Sequence, residues 1–243
     1  MPISRWNVDL PTAAELPSLP KGIVLHWTGG GPRANPVDLA AYHYVIEVDG
    51  TVVAGKWPVR ANMRKLVDDK YAKHTGGFNS FRVGISCAGM KDYRSRSSAG
   101  TFPLTEVQVE RMLEVAGYFI GVAGLNPLDP ARLCTHQEVW TLHRVKGTQN
   151  HTKTDIEFLP FRPDLKPREV GDYLRKRVAE IVAVETPVSA TVTLPDPLVL
   201  LDNREFSPSL SVPESPLEAP RTTPVEPKSG ERSLWDRFIR YFG

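Results

Sequence analysis

Long hydrophobic runs are missing from this chain. The opening stretch, Met1-Pro-Ile-Ser-Arg-Trp-Asn-Val-Asp9, holds no continuous apolar segment of the kind that heads a secretory leader. Nowhere does an apolar run approach the ~20 residues of a membrane span. Synthesis in the cytoplasm without a signal peptide is therefore expected. An excess of one charge is missing too. The net charge is +2 and no dense Lys/Arg patch occurs, so nucleic acid is not an expected partner. Cysteine is scarce: Cys87 and Cys134 both fall in apolar, strand-like runs and read as small buried core thiols. A disulfide between neighbouring strands stays open, since two cysteines define no framework. Glycine is absent between Gly171 and Gly230, and histidine is absent after His151.

What is present is ordinary in bulk. The 243 residues, 41% hydrophobic and 24% charged, suffice for one domain of fair size plus an appendage. Residues 1–20 are Pro-rich and polar and read as an extended lead-in. Gly22–His26 is a strand, and Gly29-Gly30-Gly31-Pro32 a loop beyond it. His43–Val48 and Thr51–Gly55 flank Asp49-Gly50, a signal for a two-residue hairpin. Val83–Ala88 and the short run Arg132–Thr135 read as further strands. Thr105 opens a helix with a Thr-x-x-Gln cap to Gln108. Val109, Met112, Leu113, Ala116, Phe119 and Ile120 then recur at helical spacing, with Gly124 as the stop. Pro167 starts a second helix through Val170, Tyr173, Leu174, Val178 and Ile181. Strands interspersed with helices imply an α/β fold, a mixed central β-sheet flanked by helices, over residues 21–185.

Beyond about Glu185 the composition changes. Nine of the 22 prolines lie between Pro187 and Pro227, so residues 186–230 read as a disordered, semi-stiff, Pro-rich linker. In residues 231–243, Leu234, Trp235, Phe238, Ile239 and Phe242 share one helical face, with Arg232, Arg237 and Arg240 elsewhere. A short amphipathic helix of this type either lies on an anionic membrane surface or docks on protein.

Three polar positions far apart in sequence read as one metal site: His26, His136 and Asp155. His26 ends the run Gly22-Ile-Val-Leu25, and His136 follows Arg132-Leu-Cys-Thr135. Both imidazoles are therefore expected at strand ends, and Asp155 in a loop able to close over them. Two imidazoles and a carboxylate leave the fourth tetrahedral position of a zinc ion free, the arrangement a hydrolytic site needs. His43, His143 and His151 read as structural or solvent-facing, and Asp49 and Glu47 as turn and solvent-face residues.

The pieces Val24-Leu-His26-Trp-Thr28, Tyr42-His-Tyr-Val-Ile-Glu-Val-Asp49-Gly-Thr51, His74-Thr-Gly-Gly-Phe-Asn79, Val83-Gly-Ile-Ser86, Thr135-His-Gln-Glu138 and Lys153-Thr-Asp155 occur in that order. Together they resemble the zinc-dependent N-acetylmuramoyl-L-alanine amidases, the type that includes phage amidase lysozymes and peptidoglycan recognition proteins, over roughly residues 20–160. The resemblance implies one zinc ion on His26, His136 and Asp155. It implies catalytic roles for Lys153, near the scissile carbonyl, and for Tyr42, and a place for His74 in the substrate cleft. The implied reaction is hydrolysis of the amide joining N-acetylmuramic acid to L-alanine in peptidoglycan.

Two departures qualify the match. The segment Gln137–Thr154 is longer than expected and carries His143 and His151, so the third ligand is the weakest assignment; Asp155 is also followed by Ile156 where a proline is common. Ser86 stands where cytosolic muropeptide-recycling members carry a glutamate, which points to a phage-type endolysin, acting on the cell wall after release and expected as a monomer. The alternatives are a cytosolic recycling amidase and a non-catalytic peptidoglycan-binding module.

Overall fold

In the computed structural model, residues 7–145 and 150–185 are described. The expected linker, 186–230, and terminal helix, 231–243, lie outside the described residues. No helix among the described residues is long and apolar enough to cross a membrane.

Among the described residues, five strands form one mixed sheet in the order β3-β2-β4-β1-β5. The centre is β1, Gly22–Trp27, every residue of which is buried. It runs parallel to β4, Arg82–Cys87, on one side and to β5, Leu133–Thr135, on the other. Beyond β4 lies β2, Tyr44–Ile46, also parallel, and the edge is β3, Val52–Ala54, antiparallel to β2. The mixed sheet inferred from the sequence is the one observed.

The β2–β3 connection differs from the expected two-residue turn. Glu47 N–H donates to the Thr51 carbonyl and Gly50 N–H to that of Glu47, with Gly50 at φ 85. Three residues, Val48 to Gly50, thus make the loop, with glycine at the left-handed position such loops require. Glu47 is not a solvent-face residue. It is buried, and Arg33 donates to its carboxylate at 2.6 Å.

Alternation along the strands sorts the sheet's two faces. Ile23, Leu25 and Trp27 of β1, Val83, Ile85 and Cys87 of β4, and Tyr44 and Ile46 of β2 enter the main core. Over this face pack α2, Glu106–Ala123, and α4, Pro167–Glu185. Every residue of the expected α2 stripe is buried there. The caps explain why the helix starts and stops as read. Thr105 Oγ1 accepts from Gln108 N–H, and Gly124 takes φ 60. The Gln108 amide then donates to the carbonyls of Ile46 and Ala88, tying the helix to the sheet.

Val24 and His26 of β1 and Gly84 and Ser86 of β4 point to the opposite face. On this face α3, His136–Thr141, packs over a smaller apolar cluster of Val24, Cys134 and Val139, while α1, Pro36–Ala41, lies against β2. Both cysteines are buried and unpaired, as read from their apolar runs. The lead-in is less extended than expected: Ala13–Glu15 forms a 3₁₀ turn, and Leu16 enters the main core.

Candidate functional site

The second face of the sheet gathers the candidate residues. His26, on β1, is wholly buried. His136 follows directly on the end of β5, as expected. It is the first residue of α3, one residue past β5, because Thr135 caps that helix: Thr135 Oγ1 accepts from Glu138 N–H and Glu138 Oε2 accepts from Thr135 N–H. A strand leading directly into a capped helix aims this side chain back across β1. Asp155 arrives from the loop after α3, and its carbonyl accepts from Gln137 N–H at 2.7 Å, pinning it to the start of that helix.

The three converge. His26 Nδ1 lies 2.9 Å and His136 Nδ1 3.2 Å from the same oxygen, Oδ2 of Asp155. The two imidazoles meet edge to face with ring centres 4.7 Å apart. One donor atom from each of the three residues lies within 4.8 Å of the others, and all three residues are buried. Zinc holds nitrogen and oxygen donors at about 2.0–2.2 Å, which places neighbouring tetrahedral donors about 3.3 Å apart. The observed separations and the donor set fit such an ion.

Burial and neighbouring charges set the protonation of His26 and Asp155. Burial pushes the His26 imidazole down to about 4, against the Asp155 carboxylate, which favours the charged ring. For Asp155 burial acts upward but is outweighed by His136 and by hydrogen bonds from both imidazoles, which hold the carboxyl at about 2. Near neutral pH Asp155 is therefore a carboxylate and His26 neutral.

Around this point opens a polar cleft of about 670 Å³, lined by Trp27, Thr28, Gly29, Tyr42, Lys73, His74, His136, Thr152, Lys153 and Asp155 among others. Tyr42, at the end of α1, faces His26 with ring centres 5.0 Å apart. Burial, followed by the charge of Asp155, raises its hydroxyl above the usual tyrosine range, so it stays protonated. Lys153 is exposed on the cleft wall, and its charge adds to the disfavouring of a charged His26. His74 is buried behind His26, its Nδ1 3.3 Å from His26 Nε2 and 2.9 Å from Thr75 Oγ1. It fits only because residue 84 is glycine: a Cβ there would lie 2.3 Å from the His74 ring. His43 accepts from Gly84 N–H through Nδ1, a structural role in keeping with its reading from sequence.

The histidines of the long segment stand apart from this centre. His143 is only half-exposed: its Nε2 lies 2.9 Å from the Pro130 carbonyl and its ring stacks on Phe78. His151 is exposed and packs edge-on against Trp140. Neither joins His26 and His136, and Asp155 does. Sequence reasoning passed over Asn150, which is buried with Oδ1 3.2 Å from His136 Nε2, and Thr75. Thr75 was open to notice as the neighbour of His74; Asn150, in the long polar segment, carried no local signal.

Residues 16–155, more than half of the chain, match the family model Amidase_2, described as N-acetylmuramoyl-L-alanine amidase. No curated protein matches the chain. Similar solved structures include the Ph2119 endolysin from Thermus scotoductus MAT2119 bacteriophage Ph2119, at 20% identity and TM-score 0.38, covering 68% of this chain and 86% of that one. The N-acetylmuramoyl-L-alanine amidase LysC from Clostridium intestinale URNW is 20% identical with TM-score 0.35, covering 54% of this chain and 81% of its own. A complex of tracheal cytotoxin with the ectodomains of peptidoglycan recognition proteins LCa and LCx is 19% identical with TM-score 0.35, over 53% and 79%.

Proposed function

From the premise that this chain belongs to the N-acetylmuramoyl-L-alanine amidase family, we propose that it is a zinc-dependent peptidoglycan amidase. In this reading it cleaves the amide between N-acetylmuramic acid and L-alanine and serves as a phage-type endolysin. The observation that carries the proposal is the convergence of His26 Nδ1, His136 Nδ1 and Asp155 Oδ2 at the floor of an open polar cleft. These three residues would hold the ion. Bound there, zinc would polarise the lactyl amide carbonyl and make hydroxide available at neutral pH.

The chain's own residues supply the rest. The Tyr42 hydroxyl, protonated and beside His26, orients the attacking water. Lys153 donates from the cleft wall to the carbonyl oxygen as it gains negative charge, and a donor in that place contributes ~3 kcal/mol. A second cation beside a dication is unfavourable unless it meets such a developing charge. His74, neutral because burial disfavours its charged form, supports His26 and borders the bound substrate.

Product analysis on purified sacculi, with and without chelator, tests the proposal. New L-alanine amino termini that vanish with chelator and return with zinc are the expected result. New reducing sugar ends, or amidase activity indifferent to chelator, would refute it. The proposal extends to residues 186–243: the Pro-rich spacer and basic amphipathic segment favour contact with an anionic membrane during lysis. Truncation after Glu185 should leave soluble muropeptide hydrolysis intact and weaken binding to anionic vesicles. Equal vesicle binding by both forms would sink the membrane contact.

A further inference from the structure

For His136 to ligate through Nδ1, its proton must sit on Nε2. In a buried imidazole the proton is placed by the hydrogen-bond partner of the other nitrogen. That partner is Asn150, whose Oδ1 lies 3.2 Å from His136 Nε2. The Asn150 amide has one orientation that satisfies its surroundings. Its Nδ2 donates to the carbonyls of Gly76 at 2.8 Å and Val145 at 3.2 Å. Turned over, it would set an oxygen against two oxygens. Oδ1 can only accept, so it favours a proton on Nε2; the Asp155 oxygen 3.2 Å from Nδ1 competes for a proton, and a bound ion would take that proton's place. Asn150 lines the cleft but is itself only 1% exposed.

The same side chain joins two loops. His26 has its own partners behind Nε2, His74 Nδ1 at 3.3 Å and Thr75 Oγ1 at 3.4 Å. The next residue, Gly76, is the one whose carbonyl Asn150 holds.

We propose that Asn150 is a positioning residue that selects the ligating tautomer of His136 and ties it to the loop supporting His26. The inference rests on the zinc reading above. It also gives a purpose to the long segment between His136 and Asp155, which supplies this residue. Outer partners of metal-bound histidines act in this way, fixing ring and tautomer together.

Two substitutions separate tautomer selection from mere packing. Asn150→Asp keeps an acceptor for His136 Nε2 but sets its second oxygen against the carbonyls of Gly76 and Val145, and Asn150→Leu loses all three bonds. Zinc affinity is measured by competition with a chromophoric chelator at one pH near neutrality. The leucine variant should bind zinc 10–100-fold more weakly, with the aspartate variant within about threefold of the natural protein. Equal loss in both folded variants, or no loss in the leucine variant, would overturn the proposal. If either variant does not fold, ¹H–¹⁵N spectra of the zinc-loaded natural protein decide, with the His136 signals assigned by His136→Gln. A His136 Nε2–H protected from solvent exchange supports the inference, and one that exchanges freely overturns it. Natural protein that binds no zinc would refute the functional reading instead, and an Asn150→Leu variant that unfolds no more readily than the natural protein would then overturn the role of Asn150 as a tie between the two loops.

Discussion

The proposed mechanism gives separate tasks to residues of the cleft, and substitutions should separate them. His26, His136 and Asp155 share one point in space. Replacing any of them by Ala should abolish stoichiometric zinc and turnover together. Lys153→Met and Tyr42→Phe should leave zinc content intact and lower turnover, by about 10²-fold for the lysine if it meets the oxyanion. Zinc per chain by atomic absorption, beside initial rates on a soluble muropeptide, checks both statements. Full zinc in the Asp155 variant would show that another side chain takes over the third position. His143 and His151, held at Pro130 and Trp140, are badly placed to do so. His26 and Asp155 were legible as candidates because their neighbours in sequence form recognisable motifs. Asn150 was not, because its role depends on carbonyls at positions 76 and 145 that sequence does not bring together.

At the scale of elements, the start of α3 is held from outside by α4. Arg175 donates to both oxygens of Glu138, at 2.7 and 2.9 Å, and to the Leu133 carbonyl at 3.0 Å. Both side chains of the pair are buried. The Glu138 carboxylate in turn accepts from Thr135 N–H, just before His136. The approach is so close that a Cβ on residue 171 would lie 2.1 Å from Glu138 Oε1. Removing one partner strands the other charge, so Arg175→Met should cost about 3–5 kcal/mol of unfolding free energy. Adding Glu138→Leu should recover part of that loss. Urea unfolding of the single and double variants measures it, and a single variant of natural stability would show that the pair contributes little. Helix α2 was readable to its caps because every signal is local. The ion pair was invisible, its two residues lying 37 positions apart.

For the molecule as a whole, burying imidazoles links stability to pH. Burial pushes His43 down to about 4 from its usual 6.5, and does the same to His26, while His74 lies well below its usual value. Below about 6.5 the unfolded chain binds protons that the folded chain refuses. Stability of the metal-free protein should therefore be at its full value above that pH. It should fall as pH drops toward 4, with a slope of up to about 1.4 kcal/mol per pH unit for each such histidine. Asp155, held at about 2, adds a loss only below the ordinary carboxylate range. Denaturant unfolding at several pH values from 7.5 to 4.5 reads this directly. A flat profile would mean that the imidazoles gain protons in the folded state at ordinary pH.

Local chemistry determined the elements of this protein and the kinds of residue available to its site. Period-two and period-3.6 apolar patterns, a Thr-x-x-Gln cap, a stopping glycine and an ordered set of motifs are all written within short windows of chain. Only the tertiary structure decided the strand order, the helix that starts at His136, and the approach of Asp155, rather than His143 or His151, to His26 and His136. It alone made partners of Asn150 and His136. Those outcomes depend on which distant segments approach within hydrogen-bonding distance. That is settled by burying the apolar face of one sheet under α2 and α4, which leaves the opposite face to gather the polar residues.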